Sequence, residues 1–313
     1  MNLSVYSVFR RQFMGIAAIL IILCHIRGVE YLGIPYLEKV LSLGNFGVEI
    51  FLFVSGIGMW YSFNCKRRGL REWYKRRFCR IVIPFVLITT AVYPLRFAFG
   101  VDASPVDFLL HITTLEYWLY HRGAWYVAML FPLYLITPVL IKEMNGSAYK
   151  KLFIIVLSTA ISVCCSFSAS ENAIVQNVQF VVARIPIYVI GIAIAPFVAS
   201  SCKIRLSLCC GIIALCVCLC HFAHISLAGA ITVVIVLGIL VDKKPMNEQL
   251  NKILDFMGGI SLESYLSNIY LGHIVVNSNA LGRSAGGVIV VLFGLLIAVF
   301  FNKLSNIVTR RIL

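Results

Sequence analysis

Apolar runs recur from one end of this 313-residue chain to the other, and each is close to the roughly 20 residues a helix needs to cross the hydrocarbon core of a bilayer. Inside lipid a backbone must satisfy its own N–H and C=O groups, which leaves only α-helices and closed barrels. A barrel would show shorter segments of alternating polarity, whereas these runs are continuous. Only 13% of the residues are charged and 60% are hydrophobic, where a soluble domain carries about a quarter charged residues. The fold class expected is all-α: a polytopic membrane protein forming a single integral-membrane domain over residues 1–313.

Ten runs stand out, at 13–31, 44–63, 81–99, 124–141, 152–169, 179–198, 206–223, 227–241, 257–276 and 286–302, so about ten transmembrane helices are expected. The connecting segments test this layout. With the N-terminus in the cytoplasm, 21 of the 27 Lys and Arg fall in cytoplasmic segments; the exceptions are Arg27, Lys39, Arg96, Arg122, Arg184 and Arg283. That is the positive-inside pattern, with an even number of spans and both termini cytoplasmic. It accounts for the net charge of +14 without nucleic acid. Residues 1–13 resemble the basic start of a signal peptide, but no small-residue cleavage site follows, so the first run reads as an uncleaved helix. The eleven cysteines match no zinc spacing. They read as small buried hydrophobes, and no metal is expected.

An ionisable side chain inside an apolar run is costly and persists mainly where it faces the protein interior and has a role. His25 is such a residue in the first run, and Glu49 in the second. At about 1.5 Å per residue, His25 lies about 18 Å from the inner end of its helix, leaving about 12 Å to the outer face. Glu49 falls roughly 8 Å below that face on the same rise. Arg96, Trp125, Tyr126 and Arg184 come out at a similar level, so one polar layer in the outer half of the bundle is expected. The other reading of Arg184 and Glu49 is a buried ion pair that holds helices together.

The segment 64–80 carries eight basic residues and one acid, which suits topology and anionic headgroups. Its end is denser: Lys75-Arg76-Arg77-Phe78-Cys79-Arg80 runs straight into Ile81. In a helix Arg77 and Arg80 share a face, and paired guanidiniums suit phosphate. The segment 100–123 carries Asp102, Asp107, His111, Glu116, His121 and Arg122 among aromatics. It reads as an interfacial aromatic belt, or as a cap over a polar pocket.

Six short motifs in order resemble the acyltransferase-3 family of bacterial membrane proteins. They are Gly15-Ile16-Ala17-Ala18 leading to His25; Gly47-Val48-Glu49 through Ser55-Gly56; Arg76-Arg77-Phe78-Cys79-Arg80 through Pro84; Ala124-Trp125-Tyr126-Val127 through Pro138; Arg184-Ile185-Pro186 through Gly191; and Gly259-Ile260-Ser261-Leu262-Glu263-Ser264-Tyr265-Leu266. The resemblance spans nearly the whole chain. It implies about ten helices in the inner membrane and an acyl-CoA donor, acetyl-CoA first, used from the cytoplasmic side. It also implies acylation of a carbohydrate hydroxyl, with the first-helix histidine as the catalytic residue. That role maps onto His25, and the basic motif onto Arg77 and Arg80, with Arg76 beside them. Two positions depart from the pattern: Met14 stands where the family has Arg or Lys, with Arg10 and Arg11 one turn earlier, and Asn268 stands where the late motif has histidine.

The expected chemistry follows. Donor phosphates stay with Arg76, Arg77 and Arg80, and neutral His25 takes the proton of the acceptor hydroxyl. Glu49 orients the imidazole, and Trp125, Arg184, Tyr188 or Asn268 meets the oxyanion or the substrate. A variant passes the acyl group through His25 covalently. The partners expected are membrane lipids and a carbohydrate acceptor, with no nucleic acid. Buried His, Glu and Arg also build transport paths, so a polysaccharide-precursor flippase is the competing class. Transporters commonly carry a repeat of helices, and none is visible here. A membrane protein that has lost the chemistry is the third reading.

Overall fold

In lipid the cheapest partner for a peptide group is another peptide group one turn away, and helix dominates the computed structural model accordingly. The structure describes residues 1–29, 35–66, 69–100, 104–120, 123–168, 170–223, 226–244, 246–278 and 283–313. No strand occurs among the described residues; Asn2 and Lys203 form an isolated antiparallel bridge. Asp102, Arg67, Arg68, His121, Arg122 and the outer end of the first apolar run lie outside the described residues.

Among the described residues seven helical stretches are long and apolar enough to cross a membrane: Glu38–Asn64, Leu70–Ala98, Trp125–Gly146, Ala148–Phe167, Ala173–Ala199, Ser226–Lys243 and Ile289–Ile312. The other three expected runs are also helical where described: 13–29 lies in Arg10–Val29, 206–223 is Leu206–Ala223, and 257–276 takes in the end of Glu248–Gly259 and most of Ser261–Ser278, with a turn at Ile260 between them. Ala148–Phe167 makes the membrane reading concrete. It exposes Leu152, Phe153, Val156, Leu157 and Ile161, and buries Ser162. A helix greasy on nearly every face needs lipid around it.

One boundary differs from the sequence reading. The helix expected from residue 81 begins at Leu70. Leu-Arg-Glu-Trp-Tyr-Lys-Arg-Arg holds no Gly or Pro and is rich in good helix formers, so the basic cluster rides on helix rather than on a loop. Its charge had marked it as a connector, but charge says where a segment sits relative to lipid and nothing about its backbone.

The chain divides into two units. The first comprises Met1–Ala17, Phe46–Arg68 and Ile136–Gly259. Its centre is the pair of helices Phe46–Asn64 and Ile185–Ala199. Gly56 lies against the Tyr188 carbonyl and Gly191 against the Phe53 carbonyl, and the Glu49–Arg184 ion pair stands seven residues before each glycine, so the two helices run parallel with backbones almost touching. Small residues at such crossings are what drive helix association where there is no hydrophobic gain. Gly15 against Leu254 and Gly258 against Arg11 repeat the device between Arg10–Ala17 and Glu248–Gly259. Tyr6, on the short Val5–Val8 helix, donates its hydroxyl to the Val234 carbonyl (2.9 Å). Burial pushes that phenol well above the usual tyrosine range, which keeps the donor protonated.

The second unit comprises Ala18–Asn45, Gly69–Leu135 and Ile260–Leu313. Leu70–Ala98, Ser261–Ser278 and Arg283–Ile312 pack together within it. Lys75 Nζ donates to the Ile312 carbonyl (2.7 Å), and Tyr74 donates its hydroxyl to the Leu135 carbonyl (2.8 Å). Pro105–Ile112 and Leu115–Tyr120 are two short helices in the segment expected as an aromatic belt. They turn apolar side chains outward, Val106, Leu109, Leu115 and Leu119 among them, and bury His111, Glu116 and Tyr117. That polar side faces into the unit.

A methyl group at Gly191 would collide with the Phe53 carbonyl, which is backbone and has nowhere to go. Gly191→Ala is expected to lower the stability of detergent-purified protein by about 1–3 kcal/mol. Gly211→Ala, inside Leu206–Ala223 and meeting nothing within 4 Å, should not lower it, since Ala favours helix over Gly. Thermal unfolding of both variants checks this; equal midpoints would contradict the close crossing.

Candidate active site

His25 lies near the end of the Arg10–Val29 helix, in the second unit. The residue is half-buried, and its Nδ1 is buried with no hydrogen-bond partner among the described residues. The ring lies against Tyr265, 6.2 Å between centroids. Tyr265 is itself locked: its hydroxyl accepts the Tyr126 backbone N–H at 3.1 Å, and the Tyr126 ring meets it edge-on at 5.6 Å. His273, two turns further along the same helix as Tyr265, lies within electrostatic reach of His25. An imidazole backed by a fixed aromatic wall and with an unspent ring nitrogen is a group able to take or give a proton.

Glu49 belongs to the first unit, as does Arg184. Pro186 explains how Arg184 is presented. A helix that would run from Ala173 is interrupted at Ala183–Arg184 and restarts at Ile185, with Pro186 in its first turn. Arg184 caps the restart. Its Nε stands 3.3 Å from Glu49 Oε1, its Nη1 donates to the Phe180 carbonyl (2.9 Å), and its guanidinium lies 3.8 Å over the Phe180 ring. Ser162 Oγ donates to the Ala183 carbonyl freed by the break (2.9 Å). The buried ion pair weighed from the sequence is present.

The basic motif occupies the first third of Leu70–Ala98. Arg76 Nε bonds Glu72 at 2.9 Å, one turn back. The Arg77 guanidinium lies 6.0 Å from the centre of the buried Trp73 ring, and Arg80 is exposed. Trp125 is half-buried at the start of its helix, edge-on to Tyr126. Tyr188 is fully buried in the first unit and shares a 2.6 Å hydrogen bond with Thr137. Asn268 is buried in the second; its amide donates to the Ser264 carbonyl (2.7 Å) and its side-chain oxygen packs on Gly294. Arg11 is engaged by Asp255 at 3.2 Å, and Arg10 lies against Gly58.

A second polar cluster in the second unit was not singled out as a site from the sequence. His111 Nδ1 bonds Glu116, and both are buried. The imidazole packs on Tyr270 (5.0 Å), whose ring also lies 5.7 Å from the buried Arg96 guanidinium and whose hydroxyl shares a 3.1 Å hydrogen bond with Thr89. His111 and Glu116 are five apart, which on one continuous helix sets them on different faces. The left-handed Thr114 (φ 62°) between the two short helices brings them together. Gly123 (φ 79°) passes so close that a Cβ there would meet Glu116 Oε2 at 3.1 Å. The sequence signals were present: Ser104-Pro105 caps a helix, its Ser104 hydroxyl accepting the Asp107 N–H, and Thr113-Thr114 interrupts it.

Glu116→Ala would strand the His111 N–H in a buried position. A loss of about 1–3 kcal/mol is expected, read as a lower unfolding temperature and faster proteolysis within 104–123. A variant as resistant as the parent would show that the pair does not hold this segment.

Comparison with curated proteins and with solved structures gives no match. A family model does match: that of the acyltransferase-3 acyltransferase domain, over residues 15–303. That range takes in the His25 helix, the Glu49 helix, the basic motif and the late motif, and it covers nearly the entire bundle of apolar helices. This multi-pass membrane protein therefore belongs to the acyltransferase-3 family and is an acyltransferase that moves groups other than aminoacyl groups.

Proposed function

We propose that the protein transfers an acyl group, acetyl in the first instance, from cytoplasmic acyl-CoA to a hydroxyl of a cell-surface carbohydrate or its lipid-linked precursor. It does so in the inner membrane, with ten spans and both termini in the cytoplasm. The observation that carries the reading is His25: an imidazole in the first apolar helix, backed by Tyr265, with a buried ring nitrogen that meets no partner among the described residues. An unsatisfied polar atom is costly in lipid, so a substrate atom that bonds this nitrogen removes a cost that the folded chain carries.

The acceptor hydroxyl gives its proton to the imidazole as its oxygen bonds to the thioester carbonyl carbon. The C–S bond then breaks, and the departing thiolate takes the proton back from the imidazolium. The donor's phosphates are too polar to enter the core and stay at the membrane end of Leu70–Ala98 with Arg77 and Arg80, with Arg76 contributing charge from beside Glu72. Within the unit that holds His25, we assign contact with the oxyanion or the substrate to Trp125 or Asn268. Glu49 and Arg184 hold each other, and we assign them to securing the broken helix at Ala183–Arg184.

Purified protein or membranes given labelled acetyl-CoA should label envelope glycans, and deletion of the protein should remove an acetyl mass from them. His25→Ala should fold and lose about 10²–10⁴-fold in kcat; full activity would rule out its role as base. Arg77→Ala or Arg80→Ala should raise KM for acetyl-CoA with little change in kcat. A change confined to the acceptor's KM would refute the phosphate assignment.

A further inference from the structure

The His111–Glu116 cluster shares a unit with His25 and takes no part in the chemistry above. Hydrogen bonds fix its level in that unit. Glu263 accepts from Asn302 Nδ2 (3.1 Å) and Ser305 Oγ (3.2 Å), while Asn268 packs on Gly294, so Ser261–Ser278 and Arg283–Ile312 run antiparallel. Lys75 Nζ bonds the Ile312 carbonyl at the last turn of Arg283–Ile312, and the Thr89 hydroxyl meets that of Tyr270. Along Leu70–Ala98, Thr89 stands about 21 Å from Lys75, and the rise from Ile312 back to Ser305 and on from Glu263 to Tyr270 is about the same. The two routes agree, and they put Tyr265 about 7.5 Å nearer the basic end than Tyr270. His25 packs on Tyr265 and His111 on Tyr270. The unit therefore carries, in order, the basic motif, the His25 level and the His111 level.

The far level is built as a polar site. His111 is only 4% exposed. An ionised Glu116 can only accept, so His111 Nδ1 carries the proton of their hydrogen bond. An imidazole held in that tautomer has its lone pair at Nε2, and Nε2 is buried with no hydrogen-bond partner among the described residues. Gly123 passes the Cε1 edge of the ring with no side chain to lay over it; a Cβ there would meet Cε1 at 3.2 Å. The Arg96 guanidinium lies against the same Tyr270 ring, 5.7 Å from its centre. A cationic donor is disfavoured beside that charge. An uncharged donor suits the Nε2 lone pair, and a hydroxyl is one.

We propose that the His111–Glu116 pair is an acceptor subsite: His111 Nε2 accepts a hydrogen bond from a hydroxyl of the incoming carbohydrate, beyond His25 on the side away from the donor's phosphates. This rests on the reading under Proposed function, in which a donor held at Arg77 and Arg80 meets a hydroxyl at His25. A carbohydrate carries several hydroxyls, so one is held at His111 while another meets His25. Glu116 acts through His111, fixing its tautomer and ring plane so that the acceptor is ordered before it reaches the thioester.

Asparagine places its amide nitrogen where Nδ1 stands and has nothing at Nε2, whereas glutamine reaches the Nε2 position and gives up Nδ1. Membranes containing the full chain are given labelled acetyl-CoA and the label in their glycans is followed, with coenzyme A binding and thermal unfolding measured on detergent-purified protein. His111→Asn keeps a donor for Glu116. It should unfold near the parent's temperature, bind coenzyme A as the parent does, and label glycans about tenfold more slowly. His111→Gln should unfold earlier, yet label faster per folded molecule than His111→Asn. Should His111→Asn not fold, His111→Gln is compared with His111→Leu, which fills the site and offers no lone pair. Parental labelling by His111→Asn, labelling by His111→Gln no faster than by its comparison variant, or a weakened coenzyme A affinity in His111→Asn overturns the subsite and leaves the proposed function standing. If the parent itself transfers no label to glycans, the reading under Proposed function fails and this inference falls with it.

Discussion

A polar atom without a partner is more expensive in hydrocarbon than in water, and most of this structure's details follow from that cost. The helices answer it for the backbone along their lengths. Where they break or end, side chains complete the set. Ser162 serves the Ala183 carbonyl exposed at the break before Arg184, Tyr6 serves Val234, and Lys75 serves Ile312 at a helix terminus. Charges are handled the same way: Glu49 against Arg184, Glu116 against His111, Glu263 under Asn302 and Ser305. Against that background the buried imidazole nitrogens without a hydrogen-bond partner among the described residues, His25 Nδ1 and His111 Nε2, stand out. A buried ring nitrogen with its bonding capacity unspent is able to meet a substrate atom.

Close backbone approach is the second organising device, and it works in concert with the first. Gly56 and Gly191 let two helices meet carbonyl to Cα, and Gly15 with Gly258 repeat this at a second crossing. Such contacts are short, rigid and insensitive to side-chain motion. They fix the helices that carry Glu49 and Tyr188, so the ion pair at Arg184 does not have to hold the unit together alone. The second unit uses a polar version, in which Asn268 fills the space above Gly294 and ties its own amide back to Ser264.

The legible part of this architecture was the part governed by composition and period. Apolar length announced the helices, seven of which are long and apolar enough to cross a membrane among the described residues. The three-residue spacing of Arg77 and Arg80 required only that the segment be helical, as it is. The partner of a buried charge was also legible in one case: Arg184 with Glu49, because the two share a depth. The His111–Glu116 pair was hidden for a different reason. Five residues apart, the two meet only because Thr114 adopts a left-handed backbone that no periodicity encodes. Segment 70–80 was misjudged as a connector because its charge masked good helix formers.

The two buried carboxylate arrangements that the sequence did not reveal share a logic that bears on the chemistry. Glu116 holds the Nδ1 of an imidazole, and Glu263 accepts from Asn302 and Ser305. In both, a carboxylate is itself immobilised by its surroundings, Glu116 by the close passage of Gly123 and Glu263 by two donors from one neighbouring helix. A fixed acid confers direction on a base that would otherwise sample many rotamers, and direction is what recognition of a phosphate or transfer of a proton requires. The acids of this chain are few, 13 against 27 Lys and Arg. Burying Glu116 and Glu263 spends two of them on ordering the interior of the second unit.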